Sequence, residues 1–412
     1  MPSDHHHHHH PSTLAIHGDD PFATSIDIAP PLHVSTTFRY SNNPDELLSS
    51  PPTSGGQSFV YSRVAEPNTT RLEAVLSAVT KGHALTYASG LAAFHAMMVY
   101  LRPSVVAIGH GDRAGYHGCH GVLELLKKLY GLRVVDLEDE KAWDEAGLGA
   151  GDVVHIETPI NPYGEALNIK AYAERAHKRG AYLTVDSTFG PPTLQDPLEL
   201  GADCVMHSGT KYLGGHSDML CGVVVVPHSR KEWFEGMWTE RMFLGSVLGS
   251  LEGWLGLRSM RTLDLRVKMQ SRNAEALVAW LDEMANGKSS DGASEDSAAF
   301  VTASVVHRIQ HASLQKDDFE WLKVQMPNGF GPVFALWMKD EDLARKLPSK
   351  LKLFHHATSL GGVESLVEWR KISDPSIDPR VLRFSIGVEN WEDLRDDLLQ
   401  GFKALLGKDN TN

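Results

Sequence analysis

Between residues 105 and 207 short apolar runs alternate with stretches of helical spacing, and this alternation constrains the fold more than any other feature. The runs are Val105 to Gly109, Leu132 to Val135, Val153 to Glu157, Tyr182 to Asp186 and Cys204 to His207. Helical patterns lie over Asn68 to Val79, Ser89 to Leu101, Gly121 to Tyr130 and Ile169 to Arg179. Apolar strands separated by helices predict an α/β domain with a mostly parallel sheet covered on both faces. Ligands of such sheets sit beyond the carboxyl ends of the strands, so the polar residues that follow each run are where chemistry is expected.

The flanks read differently. His5 to His10 is a hexahistidine run of the kind used as a tag, within a terminal segment 1–11. Residues 12–58, rich in Pro, Ser and Thr, read as an extended arm; residues 59–262 form the large domain. Residues 263–412 form a smaller α+β domain. It contains a helix over Asn273 to Ala285, a polar loop over Gly287 to Ser297, and strands over Val301 to Val306, Val333 to Met338 and Leu382 to Ile386. A helix from Trp391 to Leu406 closes the chain. A net charge of -13 argues against a general nucleic-acid or anionic-membrane binder, and no apolar run approaches the ~20 residues of a membrane span. Three scattered cysteines, Cys119, Cys204 and Cys221, make no disulfide framework. A reducing, cytoplasmic location is the expectation.

The segment Met206 to Met219, MHSGTKYLGGHSDM, places Lys211 just after a strand among small residues. It reads either as a surface lysine in a tight turn or as a lysine of lowered pKa able to form a Schiff base. Ser208 and Thr210 would offer hydroxyls to an anion. Asp186 ends a buried strand, where an acid either caps the turn or holds a proton on a pyridine nitrogen. Together, lysine and aspartate point to a pyridoxal phosphate site. Ser89, Gly90 and Leu91 open a helix whose N–H groups suit a phosphate. Tyr116 could stack on a flat cofactor or simply pack. His110, His117, Cys119 and His120 fit no familiar metal-ligand spacing, so no metal is expected. Gly-x-Gly-x-x-Gly is absent, which disfavours a Rossmann dinucleotide site.

Taken together, the blocks TLAIHGDD, YSRVAEPNTTRLE, ASGLAAF, ETPINPYG, VDSTFGPP, HSGTKYLGGHSD, SLGGVESL and LRFSIGVE resemble the Cys/Met-metabolism family of pyridoxal-phosphate enzymes, the cystathionine γ-synthase-like group. The resemblance implies the aminotransferase-like fold type I with a seven-stranded sheet, and a homotetramer built as a dimer of dimers with shared active sites. It implies that Lys211 carries the cofactor and shuttles protons, that Asp186 pairs with the ring nitrogen and that Tyr116 stacks on the ring. Gly90, Leu91, Ser208 and Thr210 resemble the phosphate cradle, and Tyr61 and Arg63 match residues reaching the phosphate of a neighbouring subunit. Asn161 matches an asparagine near the cofactor's phenolic oxygen. Arg383 resembles the arginine that clamps the substrate α-carboxylate, with Ser359 beside it. The implied chemistry is γ-replacement on an O-activated homoserine, with β- or γ-elimination of sulfur amino acids as the alternative. Three stretches depart from the family pattern: Glu66 stands where Asn is common, Tyr116-His117-Gly118-Cys119 is altered, and VEWRKISDPSIDP follows SLGGVESL. The last change raises the expectation of a carbon or nitrogen nucleophile in place of cysteine.

Overall fold

The computed structural model describes residues 9–23, 26–47, 59–286, 294 and 296–407. The first part of the histidine run and most of the loop expected over 287–297 lie outside the described residues.

The large sheet contains β1 (Gly82–Tyr87), β2 (Val105–Ile108), β3 (Arg133–Asp136), β4 (Val153–Glu157), β5 (Tyr182–Asp186), β6 (Cys204–Ser208) and β7 (Gly222–Pro227). Their order is β1-β7-β6-β5-β4-β2-β3. Strands β3, β2, β4, β5 and β6 pair in parallel, whereas β7 runs antiparallel to both β6 and β1. The mostly parallel seven-stranded sheet is therefore as expected. The apolar runs mark five of its strands, β2 to β6, and leave β1 and β7 unmarked. The Val223 to Val226 run is buried on both faces and packs between β6 and β1. Strand β1 carries Gly82, His83 and Thr86 among its six residues, which weakens its apolar signal.

The second sheet holds β8 (Val306–Gln310), β9 (Val333–Met338), β10 (His355–His356), β11 (Leu366–Trp369) and β12 (Val381–Ser385), in the order β10-β11-β12-β9-β8. The strand expected over Val301 to Val306 is instead mostly a helix, Ala298–Val305, and β8 begins at Val306. Ser297 caps that helix, its Oγ accepting from Phe300 N, and Val301, Thr302 and Val305 face the small-domain core. Burial at positions i and i+4 overrides the β preference of branched residues.

The helix Leu263–Asn286 is longer than the spacing predicted and joins the two cores. Leu263 and Val267 pack in the core of the large domain, whereas Ala274, Leu277, Val278 and Leu281 pack in that of the small one. The arm is fixed by a buried charge. Asp19, fully buried, accepts from Arg71 Nε at 2.7 Å and from Arg261 Nη2 at 2.7 Å. Removing one partner from such a buried pair typically costs about 3–5 kcal/mol, so this contact is a strong anchor. Glu66, the unusual residue of YSRVAEPN, caps the helix Pro67–Thr80 by accepting from Asn68 N at 2.9 Å and Thr69 N at 2.5 Å. A carboxylate thus does the capping work that a shorter polar side chain does elsewhere.

Candidate active site

The carboxyl ends of β4, β5 and β6, the start of the helix Gly90–Leu101, and β12 of the small domain surround one cavity of about 380 Å³. Gly90, Leu91, Tyr116, Asn161, Asp186, Ser208, Thr210, Lys211, Ser359 and Arg383 all line it, so ten of the positions expected from sequence meet at one place. Tyr61 and Arg63 do not. Both are exposed, and Arg63 Nη1 donates to the Met242 carbonyl at 3.3 Å.

Lys211 follows β6 on a tight turn. Its Nζ donates to Ser359 Oγ at 2.8 Å. Burial, reinforced by the Arg383 guanidinium and opposed by Glu368, lowers its pKa to about 8. The turn admits no bulk: a Cβ on Gly361, at φ +86°, would lie 2.8 Å from the Lys211 carbonyl carbon. Ser359 also has a left-handed backbone, φ +77°, a strain of order 1–3 kcal/mol held by its surroundings. That conformation turns its carbonyl to Arg383 Nη2 at 2.8 Å while its hydroxyl meets Lys211. The lysine and the arginine are thereby tied to a single residue.

Asp186 and Glu157 are register partners on neighbouring parallel strands. Burial raises both pKa values, and the charge of Asp186 raises that of Glu157 further. Asp186 Oδ1 accepts from Thr188 N at 2.9 Å and Thr188 Oγ1 at 2.6 Å, which favours its ionised form. Thr188 Oγ1 in turn accepts from Ser208 N at 2.8 Å. Glu157, whose pKa the charge of Asp186 raises beyond the effect of burial, is the member of the pair that holds a proton more readily. Glu157 shapes the wall by accepting from Tyr116 N and Asn161 N, each at 2.7 Å. Tyr116 presents its ring to the cavity from the N-cap of the helix His117–Tyr130, and burial raises its phenol pKa. Cys119, in the same altered block, is buried, and burial holds it as the thiol.

The anion end is built from backbone. Ser89 Oγ caps the helix by accepting from Ala92 N at 3.1 Å, leaving the N–H groups of Gly90 and Leu91 without an intrahelical acceptor. Gly90 sits close against Ser208: a Cβ there would lie 3.1 Å from Ser208 Oγ, tight enough that the serine would have to give way. Thr210 Oγ1 already donates to the Cys221 carbonyl at 3.3 Å and accepts from Cys221 N at 3.0 Å. A phosphate would compete with that carbonyl for its single proton.

Arg383, buried on β12, donates from Nη1 to Asn161 Oδ1 at 2.9 Å and from Nη2 to Glu368 Oε2 at 2.6 Å. Burial lowers its pKa to about 10, where it remains a cation at neutral pH. Sequence reasoning missed Glu157, Thr188, Glu368 and Arg370. Glu157 and Thr188 lay inside recognised blocks, whereas Glu368 and Arg370 lie in the stretch that departs from the family. Arg266 was missed too; it reaches in from the helix Leu263–Asn286 and donates to the Tyr212 carbonyl at 2.8 Å, fixing the backbone after Lys211.

These features define a cofactor-dependent enzyme of fold type I. The family of Cys/Met metabolism PLP-dependent enzymes matches residues 12–403, and the chain belongs to it. Cystathionine gamma-synthase of Escherichia coli is 31% identical over 395 residues, covering 92% of this chain and 93% of that protein. Cystathionine gamma-lyase of Bacillus subtilis is 32% identical over 361 residues, covering 84% and 89%. Among solved structures, metB from Corynebacterium glutamicum superposes with a TM-score of 0.82 at 28% identity, covering 97% of this chain and 99% of that one. Cystathionine gamma-lyase from Lactobacillus plantarum, complexed with L-serine, superposes with a TM-score of 0.80 at 27% identity, covering 97% and all of that chain.

The cofactor is pyridoxal phosphate, and the residues present fit it. The cavity offers a desolvated lysine, a buried carboxylate at a strand end, an aromatic wall and a helix start that a Cβ would fill. The lowered pKa of Lys211 has a measurable consequence. Attack on an aldehyde needs the neutral amine. With a pKa of about 8, roughly a tenth of the lysine is neutral at pH 7, against about 0.03% for an unperturbed lysine. The rate of cofactor uptake by apoenzyme should therefore rise with pH and level off above about 8. A rate still climbing tenfold per unit between pH 9 and 10 would show that Lys211 is not so perturbed.

Proposed function

We propose that this enzyme performs γ-replacement on an O-activated L-homoserine, such as its O-acetyl or O-succinyl ester, with a carbon or nitrogen nucleophile rather than cysteine. In the overall reaction the Cγ–O bond of the ester breaks, a Cγ–nucleophile bond forms, and the acyl group leaves as its acid. When bound, the cofactor supplies an electron sink for negative charge developing on the substrate's carbon skeleton. The chain's own residues do the rest. Arg383 and Ser359 hold the α-carboxylate and so aim the α-hydrogen at Lys211, which takes it as a neutral amine. Asp186 holds the proton on the ring nitrogen. Tyr116, on the cavity wall, would cover the ring and aid departure of the leaving group. Gly90, Leu91 and Ser208 receive the phosphate.

The observation that carries the choice of nucleophile is the replaced wall. The segment 370–373 places Arg370 and Ser373 at the cavity, where a charged guanidinium changes what can approach. Similarity to gamma-synthases supports replacement, and similarity to gamma-lyases supports elimination as the second reading. The exposed positions of Tyr61 and Arg63, away from the cavity, support a homo-oligomer in which one copy completes the phosphate site of another; family resemblance supports its being a tetramer of paired dimers. The test is mass spectrometry of products from O-acetyl-L-homoserine with cysteine, hydrogen sulfide, amines and stabilised carbanions such as β-keto acids. A carbon or nitrogen adduct formed at least ~10-fold faster than cystathionine is expected. Dominant cystathionine would overturn the nucleophile assignment, and a 2-oxo acid released without any nucleophile would favour the lyase.

A further inference from the structure

We propose that Arg370 is a positioning residue: it serves as the counter-charge that lets Glu368 release Arg383 when an amino-acid carboxylate docks. The inference rests on the reading that Arg383 receives the α-carboxylate.

One oxygen carries the argument. Glu368 Oε2 accepts from Arg383 Nη2 at 2.6 Å and from Arg370 Nη1 at 2.7 Å. All three side chains are buried, with exposures of 4%, 4% and 5% for Glu368, Arg383 and Arg370. Both arginines line the cavity.

A guanidinium grips a carboxylate with two parallel N–H groups, either from Nη1 and Nη2 or from Nε and Nη2. Both edges of Arg383 need a hydrogen on Nη2. Those two hydrogens go to the Ser359 carbonyl and to Glu368. Arg383 as it stands therefore has no free two-pronged edge, and an arriving carboxylate must displace one of the two acceptors. The Ser359 carbonyl is fixed by its backbone. Glu368 is the acceptor that can move.

A buried carboxylate that lost its only cation would oppose that displacement strongly. Glu368 has a second cation already in place. Among the described residues the Arg370 guanidinium makes one hydrogen bond, the one to Glu368, and its buried Nε–H has no partner. It therefore keeps donor capacity for a carboxylate that turns toward it. Two guanidiniums around one carboxylate also leave a surplus of one positive charge. Within this trio that surplus matches one incoming carboxylate, and Asp374, which also faces the Arg370 charge, leaves no free cation for a second anion. Without Arg370, Glu368 and Arg383 would form a neutral, closed pair. Arg370 belongs to the stretch that departs from the family pattern, so the device is a property of this chain's own wall.

The experiment titrates holoenzyme with L-norleucine, which has no leaving group at Cγ. It follows the absorbance of the bound cofactor and the heat of binding. Arg383→Met should weaken binding severely; if it does not, the reading of Arg383 fails, apart from the present proposal. Given that loss, Arg370→Met should weaken binding about 10-fold, and Glu368→Gln, which removes the competitor, should tighten it about 3- to 10-fold. The double variant should return to within about 3-fold of wild type, because a missing counter-charge no longer matters once the competing charge is gone. A purely structural role for Arg370 predicts the opposite, a double variant at least as weak as Arg370→Met, and that result would overturn the proposal. Should Arg370→Met not fold, the near-isosteric Glu368→Gln decides alone, and unchanged or weaker binding overturns it. L-2-Aminoadipate, which adds a second carboxylate, should bind no tighter than L-norleucine. Tenfold tighter binding that vanished in Arg370→Met would show that Arg370 serves a second anion instead.

Discussion

Lys211→Ala will give a folded protein with essentially no turnover, at least ~10⁴-fold below wild type, because one amine supplies both the cofactor's attachment and the proton transfers. The fold should survive, since the side chain makes one hydrogen bond, to Ser359, and sits in a partly desolvated wall. Its removal should even stabilise the chain at neutral pH in the absence of cofactor. The sign follows from linkage. Burial lowers the folded-state pKa to about 8, below the unfolded value, so the folded state holds the proton less well. Below pH 8 both states are protonated and the penalty is fully present. Between pH 8 and about 10.5 only the unfolded state keeps the proton, so the penalty fades and wild-type stability rises toward that of the variant. Two measurements check this: denaturant melts of both apoproteins across that pH range, and borohydride reduction of the holoenzymes followed by peptide mapping. Reduction should fix the cofactor to the peptide bearing Lys211 in wild type and to no peptide in Lys211→Ala. Turnover by the variant within 100-fold of wild type would end the assignment.

The legibility of the site from sequence has a physical basis. In a parallel sheet the carboxyl ends of the strands lie together, so an acid ending one strand and a lysine just after the next, adjacent strand must meet. Asp186 and Lys211 were legible for that reason, and the glycines beside them follow from close approach of backbone. Residues acting through a shared hydrogen bond were not legible. Glu157 carries the same side chain as many surface acids, and only its register with Asp186 reveals a second carboxyl in the wall. Glu368 and Arg370 are two positions apart on a strand end and its following turn. Alternation along a strand puts such residues on one face, yet nothing in the sequence says that Arg383 arrives at the same oxygen from β12. The strand expected over Val301 to Val306 failed because branched residues favour strands only where a sheet edge is available to them. Here the long helix Leu263–Asn286 offered a groove, and the segment coiled to fill it.

The second large effect separates the two neighbouring carboxyls. Asp186→Asn should lower kcat about 10³-fold or more while changing KM for the amino acid less than about threefold, because the substrate clamp on β12 is untouched. The amide can still accept from Thr188 through its oxygen, so the local bonding to Thr188 N and Oγ1 is preserved. Its other end then presents N–H to the cavity in place of a carboxylate oxygen. An N–H donor satisfies an unprotonated pyridine nitrogen and repels a protonated one, so the ring would lose the charge that makes it an electron sink. Cofactor affinity should fall with it, visible as loss of the bound chromophore on dialysis. Glu157→Gln is the matched control. Burial and the charge of Asp186 both favour the protonated form of Glu157, so a neutral amide changes little there, and its oxygen and nitrogen can be placed against Tyr116 N and Asn161 N with the loss of at most one of those bonds. Less than about a 10-fold loss of kcat is expected, the scale of one hydrogen bond. Equal losses in the two variants would mean that the charge is shared between the carboxyls, and the assignment of Asp186 as the sole partner of the ring nitrogen would be wrong.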